Sequence, residues 1–275
     1  MGPTRLVLLG HPVAHSLSPL MQTAALAAAG LTAQYRAVDV APEDLADTLE
    51  LLRAERTAGN VTVPHKEHVA ALCDMLTPLA MTVGAVNTFW FEPDGRLVGD
   101  NTDVGGFDFA ARFLLGDQVA GAPVMLLGAG GSAAAVCEAV HGWEGARVTI
   151  AARTRSRAEA LAARYPGVVD VVDYAPDIPG TAFSAALARA VLLVNATPLG
   201  LDGASAPILP DDIPATCAVM DLTYRRGRTP WIKACRARGL RAEDGLPMLV
   251  EQGALAFERW YGVPADRVAM LGAIR

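Results

Sequence analysis

The stretch Pro123-Val-Met-Leu-Leu127-Gly128-Ala-Gly130-Gly-Ser-Ala133 constrains the fold of this chain more than any other. A short apolar strand runs straight into a glycine-rich turn, and an Ala/Val-rich helix follows. This is the G-x-G-x-x-A dinucleotide fingerprint in the strand-turn-helix context it requires. Its glycines allow a tight turn and close approach of a pyrophosphate, whose negative charge the helix N-terminus favours. The spacing alone is a weak signal, and the context makes it specific. Gly128, Ala129, Gly130, Gly131 and Ser132 are the expected pyrophosphate loop.

The next strand, Arg147 to Ala152, ends about twenty residues later, where an NAD-binding chain usually presents an acid to the ribose 2′-hydroxyl. Here the chain presents Arg153-Thr154-Arg155-Ser156-Arg157. Guanidinium groups bind phosphate through paired charge-assisted bonds, so the expected cofactor is NADP rather than NAD. A solvated basic helix start is the plainer alternative, and the match in position weighs against it. Val191–Val194 and Ala218–Leu222 read as further buried strands, Pro230–Arg238 as a helix, and Leu246–Tyr261 as a long amphipathic helix with Gln252 off its apolar face.

Upstream, Leu6–Gly10, Tyr35–Val40 and Gly59–Val63 read as strands separated by helices at about 20–29 and 42–54, an order that implies a mainly parallel sheet. Ser16 and Ser18 stand at the first helix start, where they could cap it or hold a carboxylate. The third strand runs into Pro64-His65-Lys66-Glu67. That places Lys66 at a strand's carboxyl end, where open α/β sheets collect ligands. A lysine at a helix start opposes the helix dipole, so its placement asks for a reason. Helix-like residues continue to about Met81, Gly84–Phe91 reads as a strand containing Asn87, and a turn follows at Pro93–Gly95. Gly99-Asp-Asn-Thr-Asp103-Val-Gly-Gly106 then joins this first block to a linking helix at about 107–115. Asp-Asn-Thr-Asp alone is an ordinary turn. With Lys66 before it and the Gly128 loop after it, Asp103 becomes half of a proton-handling pair facing a bound dinucleotide.

The chain of 275 residues can bury two modest cores. The expected fold is α/β, with an N-terminal substrate domain (1–103, completed by helices in 246–275), a Rossmann-type domain (104–245) and a cleft between them. Apolar residues make up 52% and charged residues 19%, which excludes a disordered chain. A net charge of −6 gives nucleic acid no general reason to bind. No apolar run has membrane-spanning length, and the N-terminal run is too short for a signal peptide. Four widely spaced cysteines without a C-x-x-C pair read as reduced core thiols in the cytoplasm. His65 and His68 lack metal-ligand spacing, so no metal is expected.

Taken together the chain resembles the shikimate dehydrogenase family nearly end to end. The carrying motifs are Ala14-His-Ser-Leu-Ser-Pro19, Asn60-Val-Thr-Val-Pro-His-Lys-Glu67, Gly84-Ala-Val-Asn-Thr88, Gly99-Asp-Asn-Thr-Asp103, Gly128-Ala-Gly-Gly131, Arg153-Thr154 with Arg157, Asn195-Ala-Thr197 and Gly245-Leu-Pro-Met-Leu-Val-Glu-Gln252. The resemblance implies reversible reduction of 3-dehydroshikimate to shikimate by NADPH, in the route to aromatic amino acids, by a monomer or homodimer. It implies that Ser16 and Ser18 hold the substrate carboxylate, and that Thr62, Asn87, Asp103, Tyr224 and Gln252 bond its other groups. Lys66 would exchange the proton with the reacting oxygen, with Asp103 as its partner. Residues Gly128 to Ser132 would hold the pyrophosphate, and Arg153, Thr154 and Arg157 the 2′-phosphate. Thr197 would belong to the cofactor site, and Leu222 and Gly245 would lie near the nicotinamide.

Hydride arriving at a carbonyl carbon leaves negative charge on oxygen, which an ammonium stabilises and then protonates. Residue types do not decide whether Lys66 or Asp103 holds the proton at rest. The chain departs from the family at Ala152 (Asn in the family), Ala134 (often Arg) and Pro247 (commonly Gly). The first two departures imply the loss of two cofactor contacts and a lower NADP affinity, and Pro247, beside the expected nicotinamide site, implies altered closure between the domains. The alternatives are a paralogue acting on quinate or an amino analogue of shikimate, and a non-catalytic ligand sensor. The paired serines and basic loop argue against the first, and the presence of both Lys66 and Asp103 against the second.

Overall fold

The computed structural model describes residues 2–200 and 205–275. The chain divides into two compact units, one running up to Gly106 and including Leu249–Arg275, the other Phe107–Met248.

In the first unit β1 (Arg5–Gly10), α1 (Ser18–Ala28), β2 (Gln34–Asp39), α2 (Leu45–Glu55) and β3 (Ala58–Val61) alternate as the sequence pattern suggests. They are followed by α3 (Lys66–Leu72), β4 (Met75–Leu76), α4 (Pro78–Val83), β5 (Thr88–Phe91) and β6 (Leu97–Asp100). The sheet order is β2-β1-β3-β5-β6-β4. Its β1–β2, β1–β3 and β4–β6 ladders are parallel, whereas β5 is antiparallel to both β3 and β6. Leu45, Leu49 and Leu52 form one stripe of α2 and pack with Val7, Leu9, Val61 and Phe89 in the core. Burial of each such side chain contributes about 1.5–3 kcal/mol before the cost of ordering it.

Two expectations shift here. The helix expected over 42–54 opens with a separate 3-10 turn, Pro42–Asp44, before α2 begins. The helical run expected to Met81 breaks after Leu72, and β4 intervenes. The cause is Asp74: its carboxylate accepts the Leu97 N–H at 2.7 Å and pairs with Arg53 at 2.9 Å, which pulls the chain out of the helix and onto the sheet edge.

The helix expected at 107–115 begins earlier: α5 spans Asp103–Leu115, so Asp103 sits in its first turn. In the second unit the elements are β7 (Pro123–Leu127), α6 (Gly131–His141), β8 (Arg147–Ala152), α7 (Arg155–Ala162), β9 (Val169–Asp173), α8 (Ala182–Arg189), β10 (Leu192–Asn195), β11 (Ala218–Asp221), α9 (Pro230–Ala237) and β12 (Ala242–Glu243). The order β12-β11-β10-β7-β8-β9 is parallel throughout. The chain runs outward one way from β7 and the other way from β10, and such a reversal leaves a crevice at the strand carboxyl ends. Gly128 and Asn195 stand at those two ends.

The chain closes with α10 (Leu246–Tyr261) and α11 (Arg267–Ile274), which packs against α1. The α10 backbone also touches α1: Gln22 Nε2 donates to Gly253 O at 2.9 Å, and a Cβ at Gly253 would stand 2.3 Å from Met21 Cε. Pro247 lies in the first turn of α10, where a helix asks for no N–H, so this departure from the family costs the helix nothing.

Candidate active site

The first unit gathers polar side chains that the sheet carries inward. Lys66 opens α3 directly after the β3 turn, and its backbone oxygen accepts the Val86 N–H at 2.9 Å. Its Nζ lies 2.5 Å from Asp103 Oδ2, with the Lys66 side chain 12% exposed and that of Asp103 6%. Asp103 is held in turn by Asn101, whose Oδ1 accepts the Asp103 N–H at 3.1 Å while its Nδ2 donates to Ala85 O at 2.8 Å.

Asn87 links this pair to its surroundings. Its Oδ1 accepts the Thr102 N–H at 2.7 Å, which turns the amide nitrogen toward the other acceptors. Nδ2 lies 2.9 Å from Asp103 Oδ1, 3.0 Å from Thr102 Oγ1 and 3.1 Å from Gln252 Oε1. Lys66, Asp103, Asn87 and Gln252 thus form one connected group, drawn from α3, α5, the bend before β5 and α10; the strand expected over 84–91 begins only at Thr88, so Asn87 lies outside it. The group combines a cation, a carboxylate and amides that donate and accept, which suits a ligand rich in hydroxyls.

Ser18 is buried as the first residue of α1, and Ser16 is partly buried just before it. The Ser16 Oγ accepts the Ser18 N–H at 3.2 Å, while the cap position proper is Leu17 and makes no side-chain cap bond. The Ser16 hydroxyl therefore meets one free N–H at the helix start, while Ser18 lies inside the helix rather than at its cap position. Thr62 lies between β3 and α3, its N–H donating to Leu9 O at 2.8 Å. His65 is a core residue whose Nε2 faces Val40 O at 2.7 Å, and His68 is exposed. Among the described residues no cluster of His, Cys, Asp or Glu is placed to hold a metal ion.

The second unit presents the nucleotide loop. Gly128 has φ +109°, and a Cβ there would stand 2.9 Å from Ala196 O, so the turn demands glycine. Gly130 is the N-cap of α6 and supplies no side-chain cap, and a Cβ on it would meet open space. Ala129, Gly131 and Ser132 complete the loop, each partly buried. A helix N-terminus approached through bare glycine backbone fits a pyrophosphate.

At the end of β8, Arg153 and Thr154 are exposed, Thr154 being the N-cap of α7, and Arg157 is exposed in that helix's first turn. Arg155 is engaged elsewhere, with Glu159 at 2.7 Å and Asp173 at 2.6 Å. The first turn of α7 holds no acid. Cations there oppose the helix dipole, a cost that a bound dianion reverses.

Thr197 follows β10. Asn195 Oδ1 accepts from both its N–H, at 3.1 Å, and its hydroxyl, at 2.6 Å. The amide of Asn195 is fixed by Asp221 Oδ1, 3.0 Å away, whose other oxygen accepts the Thr229 hydroxyl at 2.9 Å. Leu222 N donates to Asn195 O at 2.9 Å, and Tyr224 lies on the turn after β11, partly buried. Gly245 is packed against that turn: a Cβ there would stand 2.4 Å from Leu222 O. Asp221, buried at the core of these contacts, was not anticipated from the sequence, nor were Thr102 and Asp100 in the first unit. Asp100 and Thr102 lie inside the Gly99–Asp103 motif and Asp221 ends β11, and a polar residue at such a position is the signal that could have found them.

A parallel dinucleotide-binding sheet with a glycine turn and a basic loop in one unit, and a buried lysine–carboxylate pair in the other, define the two-domain dinucleotide-dependent oxidoreductases. Family models agree: residues 8–89 match the shikimate dehydrogenase substrate-binding domain, 110–186 the shikimate/quinate 5-dehydrogenase domain and 245–275 the shikimate 5′-dehydrogenase C-terminal domain. A shikimate dehydrogenase (NADP(+)) of Symbiobacterium thermophilum is 46% identical, covering 99% of this chain and 96% of that one. The chain belongs to the shikimate dehydrogenase family. Among solved structures, shikimate dehydrogenase from Aquifex aeolicus superposes with a TM-score of 0.90 at 34% identity, covering 99% of this chain and 98% of that one. The Thermus thermophilus shikimate 5-dehydrogenase complex with NADP(H) and shikimate gives 0.84 at 40% identity, covering 98% and 97%.

Proposed function

We propose that this chain interconverts 3-dehydroshikimate and shikimate with NADP as cofactor. The observation that carries the reading is the Lys66–Asp103 pair, 2.5 Å apart and nearly sealed from solvent, with Asn87 and Gln252 alongside. NADPH supplies the hydride when bound, and this chain's residues supply the rest. Lys66 Nζ gives a proton to the carbonyl oxygen of the substrate as negative charge develops there, and takes it back in the reverse direction. Asp103 orients the ammonium and Asn87 orients Asp103. Ser16 and Ser18 hold the substrate carboxylate, and Thr62, Asn87, Gln252 and Tyr224 its hydroxyl groups. Gly128 to Ser132 hold the pyrophosphate, and Arg153, Thr154 and Arg157 the 2′-phosphate. Thr197 belongs to the cofactor site, and Leu222 and Gly245 shape its nicotinamide end.

The four cysteines, all unpaired, support a cytoplasmic location. No helix among the described residues is long and apolar enough to cross a membrane. The test is the initial rate of nicotinamide reduction with shikimate and with quinate, each offered NADP and NAD. Shikimate with NADP giving the highest kcat/KM supports the proposal. Quinate or NAD winning moves the chain to a paralogous activity, and binding without turnover makes it a sensor.

A further inference from the structure

The Asp100 carboxylate ends β6 three residues before Asp103, and its side chain is only 2% exposed. Oδ1 accepts the Thr77 hydroxyl at 2.5 Å and the Asn101 N–H at 2.8 Å, and Oδ2 meets Arg259 Nε at 2.9 Å. The Asp100 backbone oxygen accepts the Asn87 N–H at 3.1 Å. One residue therefore grips Asn87 through its peptide and α10 through its side chain.

Arg259 and Gln252 lie on the same stripe of α10, two helical turns apart. Along that stripe the helix makes two polar contacts, Gln252 against Asn87 in the site and Arg259 against Asp100 beside it. The other polar ties of α10 run elsewhere. Arg267 joins Glu251 and Glu258 to α11, and Gln22 joins Gly253 to α1. Neither α1 nor α11 carries Asn87 or Asp103.

We infer that the Asp100–Arg259 pair is a positioning device that sets the axial register of α10 and so holds Gln252 against Asn87 at the substrate site. Neither residue is a catalytic group: both act through Gln252. Asp100 is a buried charge at a strand end that two neutral donors alone would leave uncompensated. Arg259, half exposed, supplies the counter-charge from the helix that must be registered. The substrate named in the test rests on the proposed function, but the registry itself does not.

The test uses Asp100→Asn with Arg259→Met, which removes the ion pair without stranding a buried charge and keeps an oxygen for Thr77 and Asn101. KM for shikimate should rise about tenfold, the equivalent of about 1.4 kcal/mol, with KM for NADP unchanged. In a Gln252→Ala background the same pair of substitutions should add little, because the two sites act as one unit. Arg259→Lys with Asp100 native, which keeps the counter-charge, should raise KM for shikimate less than the double variant does. Hydrogen exchange on the ligand-free protein gives a readout independent of any substrate, with faster exchange expected at 249–252 and 100–103 in the double variant. An unchanged KM for shikimate, a rise in both KM values together, or full additivity with Gln252→Ala would overturn the inference. So would unchanged exchange, and that result bears on the registry even if the native chain does not turn over shikimate.

Discussion

Lys66 Nζ and Asp103 Oδ2 lie 2.5 Å apart, while the second Asp103 oxygen accepts the Asn87 amide at 2.9 Å. Both carboxylate oxygens are thus committed, and the ammonium is aimed by a group that is itself aimed. Removing the lysine leaves a carboxylate buried without its counter-charge, which typically costs about 3–5 kcal/mol. Lys66→Met should therefore lower the melting temperature markedly, whereas Lys66→Met with Asp103→Asn should recover much of the loss. Thermal melts of the two variants check this.

Cofactor choice should be separable from turnover. Arg153 and Arg157 stand exposed around an α7 N-terminus with no acid in its first turn, while Arg155 is tied to Glu159 and Asp173. A hydrogen bond to a charged group is worth about 1.5–3 kcal/mol, so Arg153→Ala with Arg157→Ala should raise KM for NADP by roughly tenfold or more. KM for NAD should hardly move, and Arg155→Ala should have the smaller effect on both. Initial rates against each cofactor give the comparison.

Gly245 cannot accept a side chain without displacing backbone, since its Cβ would stand 2.4 Å from Leu222 O and 3.1 Å from Thr223 O. Gly245→Ala should destabilise the second unit by about 1–3 kcal/mol, as overpacking does. It should also raise KM for NADP, because the turn it pushes carries Leu222. Denaturant unfolding and cofactor titration measure the two effects.

The buried carboxyl of Asp244 makes its own contribution to stability, which falls as pH rises through the acid range. Burial pushes Asp244 up to about 6, against the Leu246 N–H that its carboxylate accepts at 3.1 Å. A folded-state value raised above the unfolded one, about 3.9, means that the folded protein binds the extra proton between those limits. This contribution is fully present below about pH 4 and is lost progressively to about pH 6, a change of roughly 2–3 kcal/mol. Asp244→Asn should flatten that slope and be more stable than the native chain at pH 8. Melting temperatures at pH 4.5, 6 and 8 test the sign.

The glycine loop, the basic loop and Lys66 were legible because each is local. A strand pattern runs into a turn, and the residue at the strand's carboxyl end has one place to go. Asn87 and Gln252 could be named only through resemblance, since their contact joins residues 165 positions apart and no periodicity reports it. The β4 strand was hidden for the opposite reason: two residues give no alternation, and the Asp74 bonds that break the helix reach to Arg53 and Leu97. The antiparallel β5 likewise depends on a turn, Pro93 to Gly95, that was read correctly without revealing which neighbour the strand would choose. Asp100 lay in plain view in Gly99-Asp-Asn-Thr-Asp103, but its partner Arg259 lies at the far end of the chain.

The most direct measurement is kcat alongside shikimate affinity for Lys66→Ala, the affinity read by calorimetry in the presence of NADP. A positioned acid typically contributes about 10²–10⁴-fold. The account predicts a kcat lower by that range with shikimate bound within a few-fold of native affinity. A variant that binds shikimate and turns it over within tenfold of the native rate would contradict it, because the proton would then reach the oxygen from some other group.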